Sequence, residues 1–177
     1  YATPQPGAPF VVGAPRITLN TNRAHRAVFS KDGKTLFIGD FNGNIQFWDA
    51  EAGQKVGEYK NAHAREINAL TFSPEGNRLA SCAGDFIIRL WDFDVTLQSR
   101  DFEGHEAPVW MGAFNPDGTR IVSASADRSV KVWQRDTGKV AFTISDHTAP
   151  VTVAQFSPDG KLIASAGGDK VIRIFNA

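Results

Sequence analysis

Three sets of histidine, serine and aspartate recur in this sequence of 177 residues with the same internal spacing. In each set the histidine precedes the aspartate by 22 residues and the serine precedes it by four. The sets are His63, Ser81 and Asp85; His105, Ser123 and Asp127; and His147, Ser165 and Asp169. These side chains are the components of a nucleophilic triad. A triad acts at one place in an enzyme, so threefold recurrence favours a structural role, and we predict a protein that is not an enzyme.

The same three histidines are poor candidates for metal ligands. They are 42 residues apart along the chain, without the close spacing of a zinc motif. We therefore expect no metal and no cofactor. The single cysteine, Cys82, follows Ser81 in an apolar stretch, which predicts a small packing residue.

The sets belong to a longer unit that occurs four times. The segments 29–49, 72–92, 114–134 and 156–176 align without gaps, at intervals of 43, 42 and 42 residues. Each begins with phenylalanine, passes through a turn such as "SPDG", and has an aromatic residue next to last, namely Trp48, Trp91, Trp133 or Phe175. A period this constant indicates one repeated supersecondary unit.

Each unit is predicted to be β throughout. Stretches such as "VTVAQF" and "VIRIF" alternate in the way that half-buried strands do. Proline and glycine in the first turn, and an acid or asparagine in the second, are typical of tight hairpin connections. A fourth strand such as "KVAFTI" follows. Four strands in about 40–45 residues is the pattern of a β-propeller blade.

The dipeptides Gly104-His105 and Trp91-Asp92 give the chain a resemblance to the WD-repeat family, and the resemblance covers nearly all of it. It implies an all-β propeller of four-stranded antiparallel blades. It also implies that Trp91 and Trp133 join the first two sets in buried hydrogen-bonded networks. A buried carboxylate needs such donors, because burial without them is costly.

The blade boundaries follow from the period. We predict a proline-rich segment over 1–15 and a propeller over 16–177, divided into a closure strand at 16–19 and blades at 20–61, 62–103, 104–145 and 146–177. Blade 1 departs from the pattern, with Asn20, Ile38 and Asn42 in place of histidine, serine and aspartate.

The last unit has three predicted strands, and the resemblance implies that 16–19 supplies its fourth. Three arrangements are open: closure within one chain, a homodimer that exchanges these strands in an eight-bladed ring, or the front part of a longer propeller.

Charge and hydropathy narrow the class of partner. Nineteen basic and nineteen acidic residues balance, and this balance argues against a nucleic-acid partner. No apolar run reaches the length of a membrane span, so we expect no membrane partner. A protein or peptide partner remains, and a larger complex is a further possibility.

The resemblance places partner binding at the mouth of the central channel. By alignment, the residues at this rim are His25, Phe41, Asn68, Trp110 and Thr152. Trp110 has two open interpretations, a binding hot spot or a packing residue. We expect a non-catalytic interaction platform; the alternative is a structural subunit buried in a larger assembly.

Overall fold

The computed structural model describes residues 17–21, 23–93 and 98–177, and these residues form fifteen β-strands and no helix. The strands assemble in chain order into four separate antiparallel sheets. The all-β prediction, with one sheet for each sequence unit, is therefore confirmed. Within this part of the chain no helix is available that could cross a membrane.

Each sheet is called a blade below. Blade 1 contains β1 (Ala24–Phe29), β2 (Thr35–Asp40), β3 (Ile45–Asp49) and β4 (Lys55–Tyr59). Blade 2 contains β5 (Ile67–Phe72), β6 (Arg78–Ala83), β7 (Ile88–Asp92) and β8 (Gln98–Phe102). Blade 3 contains β9 (Val109–Phe114), β10 (Arg120–Ser125), β11 (Val130–Gln134) and β12 (Val140–Ile144). Blade 4 contains β13 (Val151–Phe156), β14 (Leu162–Gly167) and β15 (Ile172–Asn176).

The core lies between consecutive blades rather than inside any one of them. We call the face of each blade that points toward the following blade its rear face. The rear face of blade 2 carries Ile88 and Phe102, and it packs against Val109, Ile121 and Trp133 of blade 3. Equivalent apolar clusters join blade 1 to blade 2 and blade 3 to blade 4. Blades 1, 2 and 3 are therefore each stabilised by burying one face on the blade that follows.

Among the described residues, no blade packs against the rear face of blade 4. Val130 and Val132 of blade 3 are fully buried, whereas Ile172 and Ile174, at the same positions of blade 4, are 74% and 67% exposed. Among the described residues, no strand pairs with the outer edge of β15. The described blades therefore present an open apolar face and a free strand edge at blade 4.

Residues 17–19 of the predicted closure strand are not in a strand, and they do not pair with β15. They lie instead beside blade 1, where a Cβ on Gly53 would be 2.6 Å from Ile17. Gly138 of blade 3 faces Phe102 of the preceding blade in the same way, at 3.4 Å. The segment therefore occupies the place of a fourth strand belonging to a blade ahead of blade 1. Arg16 and the segment 1–15 lie outside the described residues.

Candidate functional site

The histidine of blade 3 connects the loop before β9 to the turn between β10 and β11. The Nδ1 atom of His105 lies 2.6 Å from Oδ2 of Asp127, and its Nε2 atom lies 2.7 Å from Oγ of Ser123. The indole Nε1 of Trp133 donates to the same hydroxyl at 2.8 Å. These four side chains thus form one continuous network. It joins the loop before β9 to β10, to β11 and to the turn between these two strands.

Blade 2 repeats this arrangement. His63 Nδ1 lies 3.0 Å from Asp85 Oδ2, and His63 Nε2 lies 2.7 Å from Ser81 Oγ. Trp91 Nε1 donates to Ser81 Oγ at 3.0 Å. The backbone N–H of Ala64 also donates to Asp85, at 2.9 Å, so the loop is fixed to the turn by backbone as well as side chain.

Blade 4 has the same contacts except at the position of the indole. His147 Nδ1 lies 2.9 Å from Asp169, and His147 Nε2 lies 2.8 Å from Ser165. Phe175 takes the place of tryptophan and has no N–H to donate. Arg173 provides a different donor, because its Nη1 bonds Asp169 at 2.7 Å and lies 3.0 Å from His147 Nδ1.

These donors hold the turn aspartates in the ionised form. Burial works to raise the pKa of Asp127, but hydrogen bonds from His105 and Ser129 outweigh it and keep the pKa below its ordinary value of 3.8. The pKa of Asp85 and that of Asp169 are lowered in the same way, mainly by the histidine of each blade against the opposing effect of burial. The carboxylates are therefore stable anions in partly buried turns.

Blade 1 uses a different network, which the sequence did not indicate. Asp40, at the end of β2, is 2% exposed and accepts the backbone N–H groups of Asn42 and Asn44 at 2.8 and 2.9 Å. The Asn44 side chain donates to its other oxygen at 3.0 Å. Trp48 Nε1 donates to Gln46 Oε1 at 3.1 Å, and Gln46 Nε2 lies 3.5 Å from Asp40. The network reaches the same indole position without histidine or serine.

None of the three serines is placed for nucleophilic chemistry. Their exposed fractions are 0%, 0% and 1% for Ser81, Ser123 and Ser165, so substrate has no access to the hydroxyls. Burial, with a smaller contribution from Asp85, raises the pKa of the Cys82 thiol to about 12, which leaves it unreactive at neutral pH. The described residues contain no cluster of three or more candidate metal ligands.

The proposed rim begins at blade 1 with a stacked pair. The rings of His25 and Phe41 lie 4.2 Å apart between centroids with an interplanar angle of 24°. His25 Nδ1 also lies 2.9 Å from the carbonyl oxygen of Ile67 in blade 2. Phe41 remains 48% exposed, so the pair is fixed on one side and open to solvent on the other.

A groove of about 400 Å³ runs along the first strand of each blade. These strands, β1, β5, β9 and β13, are called the inner strands below. Trp110 and Thr152 line it, together with Arg26, whose guanidinium is bonded to the carbonyl oxygen of Asn68 at 2.7 Å. Trp110 is 38% exposed and Thr152 is exposed, so both are accessible from the groove. The groove is therefore lined by one indole, one cation and a mixture of polar and apolar side chains, with Leu70 and Met111 among the apolar ones.

Asn68 is the least exposed of the predicted rim residues. It is 1% exposed, and its Nδ2 donates to the carbonyl oxygen of Val109 at 3.1 Å. Blade 3 packs over this position because β5 and β9 are neighbouring inner strands. Asn68 thus bridges two blades at the floor of the groove, with little of its own surface exposed.

Phe86 is an exposed aromatic on the same side of the molecule that the sequence did not single out. It lies next to Asp85 with φ = 75° and is 39% exposed. Such a backbone conformation is unusual for a bulky residue. The sequence does contain a signal for Phe86, because blade 2 has an aromatic residue at the turn position where blade 1 has Gly43.

Comparison with known proteins decides the family. The family described as "WD domain, G-beta repeat" matches residues 53–92, 96–134 and 138–176, together more than half of the chain. The chain belongs to the WD-repeat family. Each matched stretch starts at or near the fourth strand of one blade and ends with the third strand of the next.

Individual WD-repeat relatives match only in part. Actin-interacting protein 1 of Drosophila melanogaster is 34% identical over 74 residues, covering 41% of this chain and 12% of that protein. Protein TOPLESS of Arabidopsis thaliana is 28% identical over 90 residues, covering 49% and 8%. Eukaryotic translation initiation factor 3 subunit I of Drosophila pseudoobscura pseudoobscura is 32% identical over 76 residues, covering 43% and 23%. The matches thus span less than a quarter of these relatives.

A solved structure gives a longer match. A chain in the crystal structure of a mitotic checkpoint complex superposes with a TM-score of 0.77 at 26% sequence identity. The match covers 85% of this chain and 48% of that one. The present chain therefore has the blade arrangement of about half of that larger protein.

Proposed function

We propose that this WD-repeat chain is a non-catalytic platform that binds a peptide or protein segment at its channel-mouth rim. The rim in this sense consists of His25, Phe41, Trp110 and Thr152. The names of several relatives, an actin-interacting protein and a translation factor subunit among them, support a role in protein interaction. A platform needs no reactive group, and the buried serines are consistent with that.

The exposure of Trp110 is the observation that carries the proposal. Its indole lines the groove and is 38% exposed, whereas Trp91 and Trp133 are at most 6% exposed. Large aromatic side chains on a rigid support are the commonest hot spots of protein interfaces. We expect an apolar side chain of the partner to pack on this indole.

A truncation at the rim tests the proposal. Affinity purification with cross-linking identifies the partner of the unmodified chain, and Trp110→Ala is then compared with Val56→Ala. Val56 is a matched control, since it is 64% exposed on the outer strand β4, far along the sheet from the groove. We expect the first variant to lose the partner and the second to retain it.

The same variants need a stability measurement. If Trp110→Ala lowers the thermal midpoint strongly while Val56→Ala does not, the indole is a packing residue and the proposal is wrong. Retention of the partner by both variants contradicts it equally.

A structural subunit is the second candidate, and the open face of blade 4 favours it. Ile172 and Ile174 would be covered if a further blade, from a second copy or from another subunit, packed behind β15. A homodimer of this kind has eight blades. Light scattering coupled to size-exclusion chromatography tests that form, because a stable monomer is incompatible with the eight-bladed ring.

A further inference from the structure

A cavity of about 320 Å³ lies between blades 2 and 3, beside the outer strand of blade 2. Three arginines from separate parts of the chain line it: Arg78 at the start of β6, Arg100 on β8 and Arg135 just after β11. The turn aspartate Asp85 lies beyond the opposite end of β6, so the cavity is on the other side of the blades from the rim. We call it the arginine cavity.

Arg135 takes the position of an aromatic residue of blade 2. Phe93 directly follows β7 as Arg135 directly follows β11. The ring of Phe93 lies 5.8 Å from that of Phe37 in blade 1 and 6.2 Å from that of Phe72, between centroids. The junction between blades 1 and 2 is thus stabilised by apolar contacts at this position. The fold therefore does not require a cation there.

Arg100 likewise takes a position that is apolar in the next blade. It is paired with Leu90 across strands β7 and β8, where blade 3 pairs Phe142 with Val132. Phe142 packs against the apolar cluster between blades 3 and 4. The stem of Arg100 lies against blade 3, since a Cβ on Gly138 would be 3.4 Å from its Cδ atom. Charged groups thus replace apolar ones at this junction, and such departures from a local rule are expected at functional sites.

Arg100 provides the unmatched positive charge of the cavity. Arg78 Nε donates to Oδ2 of Asp92 at 3.0 Å. Arg135 donates through Nε and Nη2 to the two oxygens of Asp136, at 2.8 and 3.3 Å. Within residues 17–21, 23–93 and 98–177, Arg100 makes no hydrogen bond and no ion pair. The lining therefore contains three cations and two carboxylates.

The carboxylates beside the cavity leave access for a stronger anion. Asp136 is the most exposed, with 73% of its side chain accessible, and exposed ion pairs contribute little to stability. The pKa of its carboxyl group is lowered mainly by the hydrogen bond from Arg135, and the charges of Arg78 and Arg100 contribute as well. Glu75, outside the lining, lies 3.8 Å from Arg135 Nη1. All three guanidinium groups therefore act at one place, which an anion can occupy by displacing one exposed carboxylate.

We propose that the arginine cavity binds a phosphate monoester, carried by a phosphorylated side chain of a protein partner. Such a group has a charge of about −2 at neutral pH and three strong acceptor oxygens. The planar forks of Arg78, Arg100 and Arg135 match these oxygens, whereas a carboxylate has only one charge and two oxygens. The balanced charge of the chain favours a single phosphate over a nucleic-acid backbone. This site is separate from the rim and does not depend on the function proposed there.

Three short peptides are the probes: Gly-Gly-phosphoserine-Gly-Gly and the same sequence with serine or glutamate at the centre. Titration of the isotope-labelled chain by NMR is expected to shift the side-chain Nε–H signals of Arg78, Arg100 and Arg135 with the phosphopeptide. We expect the glutamate peptide to bind about tenfold more weakly and the serine peptide not to bind. Equal binding of the three peptides, or shifts confined to other arginines, would overturn the proposal.

Inorganic phosphate is the fourth probe, because it separates the two sources of the same chemical group. The phosphopeptide is expected to bind at least as tightly as inorganic phosphate, since the cavity is open beside an outer strand. If inorganic phosphate binds and the phosphopeptide does not, the cavity takes free phosphate, and the assignment to a partner's side chain is wrong.

Two variants test the arginine that has no partner. Arg100→Gln is expected to weaken binding of the phosphopeptide about tenfold. Arg65→Gln is the matched control, since the Arg65 side chain is 62% exposed in the loop before β5, at the other end of the blade. A loss of binding in both variants, or in neither, contradicts the proposed role of Arg100.

A purely structural role for Arg100 is the competing explanation. Arg100→Phe introduces the residue type that blade 3 has at this position, Phe142. We expect this variant to keep the thermal midpoint of the unmodified chain and to lose the phosphopeptide signals. A large fall in the midpoint of both Arg100→Phe and Arg100→Gln would show that the arginine serves the fold and would overturn the proposal. Neither measurement involves Trp110, so this test and that of the rim can fail independently.

Discussion

The Nδ1 atom of His105 lies 2.6 Å from the carboxylate of Asp127, although 22 residues separate the two in sequence. The contact joins the loop that leads into blade 3 to the turn on the far side of its second strand. Blades 2 and 4 repeat it with His63 and His147. The recurring polar residues thus fix loops to turns in blades 2, 3 and 4.

A comparison of two blades tests how much the indole hydrogen bond contributes to the free energy of unfolding. Ser123→Ala removes the acceptor of Trp133 and the partner of His105, whereas Ser165→Ala in blade 4 leaves only His147 without its partner, because Phe175 makes no hydrogen bond. Each unsatisfied buried group costs about 1–3 kcal/mol. We expect Ser123→Ala to lower the free energy of unfolding about twice as much.

Urea denaturation of the two variants measures this difference. Both serines are at most 1% exposed, so the loss of buried hydroxyl volume is matched between them. Equal losses in the two variants would show that the indole hydrogen bond contributes nothing.

Acid is expected to weaken the same networks. The pKa of Asp127 is lower in the folded chain than the unfolded value near 3.8, so its stabilising effect is complete above that value and is lost as the pH falls below it. Asp127→Asn, which keeps an oxygen acceptor for Ser129, should be less stable than the unmodified chain at pH 7. The difference between the two should shrink between pH 4 and pH 3.

Unfolding curves recorded at several pH values between 7 and 3 give this difference directly. Asp146→Asn is a control for general charge effects, since Asp146 lies at the surface. A difference that stays constant over the whole range would contradict the assignment of Asp127 as the acid-sensitive group.

Much of this arrangement follows from the repeat itself. The resemblance to the WD-repeat family implies that histidine, serine and aspartate meet, and their constant interval in three units extends this expectation to each of the three blades. The Asp40 network could not be predicted in this way. The other units have Ala83, Ser125 and Gly167 at that position, so no repetition marks the residue.

Contacts between blades also could not be predicted from the sequence. The alignment gives the strand on which Asn68 lies, but its burial depends on how closely blade 3 packs over β5. The position of Ile17 beside Gly53 likewise depends on packing outside any repeat. Periodicity specifies one blade, whereas the surface that remains accessible depends on the neighbouring blades.

Asp40 is expected to be essential to blade 1 despite the absence of a histidine. In Asp40→Asn an amide group would face the donor groups of Asn44 and Gln46. Asn44 cannot simply rotate its amide, because its Oδ1 atom accepts the backbone N–H of Asn61 at 2.9 Å. We expect a loss of about 1–3 kcal/mol in the free energy of unfolding.

Hydrogen exchange locates the effect of this substitution. Amides of β2 and β3 should exchange faster in Asp40→Asn, while those of β10 and β11 should be unchanged. Uniform acceleration over all four blades, or none at all, would contradict a network confined to blade 1.

Gly43 and Arg128 occupy the same turn position in blades 1 and 3. We expect substitutions at the two residues to change the thermal midpoint in opposite directions. Both residues have positive φ, 81° and 71°. A Cβ on Gly43 would lie 2.1 Å from the carbonyl oxygen of His63, so Gly43→Ala adds a steric clash with blade 2 to the strain of the backbone. Arg128 is exposed. Arg128→Gly relieves a backbone strain of about 1–2 kcal/mol. The larger conformational entropy that glycine loses on folding offsets about 0.5–1 kcal/mol of this gain.

We therefore expect Gly43→Ala to lower the thermal midpoint and Arg128→Gly to raise it slightly. Arg128→Ala is the control, because it removes the same side chain but keeps the Cβ atom and the strain. If Arg128→Ala raises the midpoint as much as Arg128→Gly does, the gain comes from losing the arginine side chain and not from the backbone. A stable Gly43→Ala variant would mean that the turn of blade 1 can move away from His63, and the close packing of these two blades would then not be rigid.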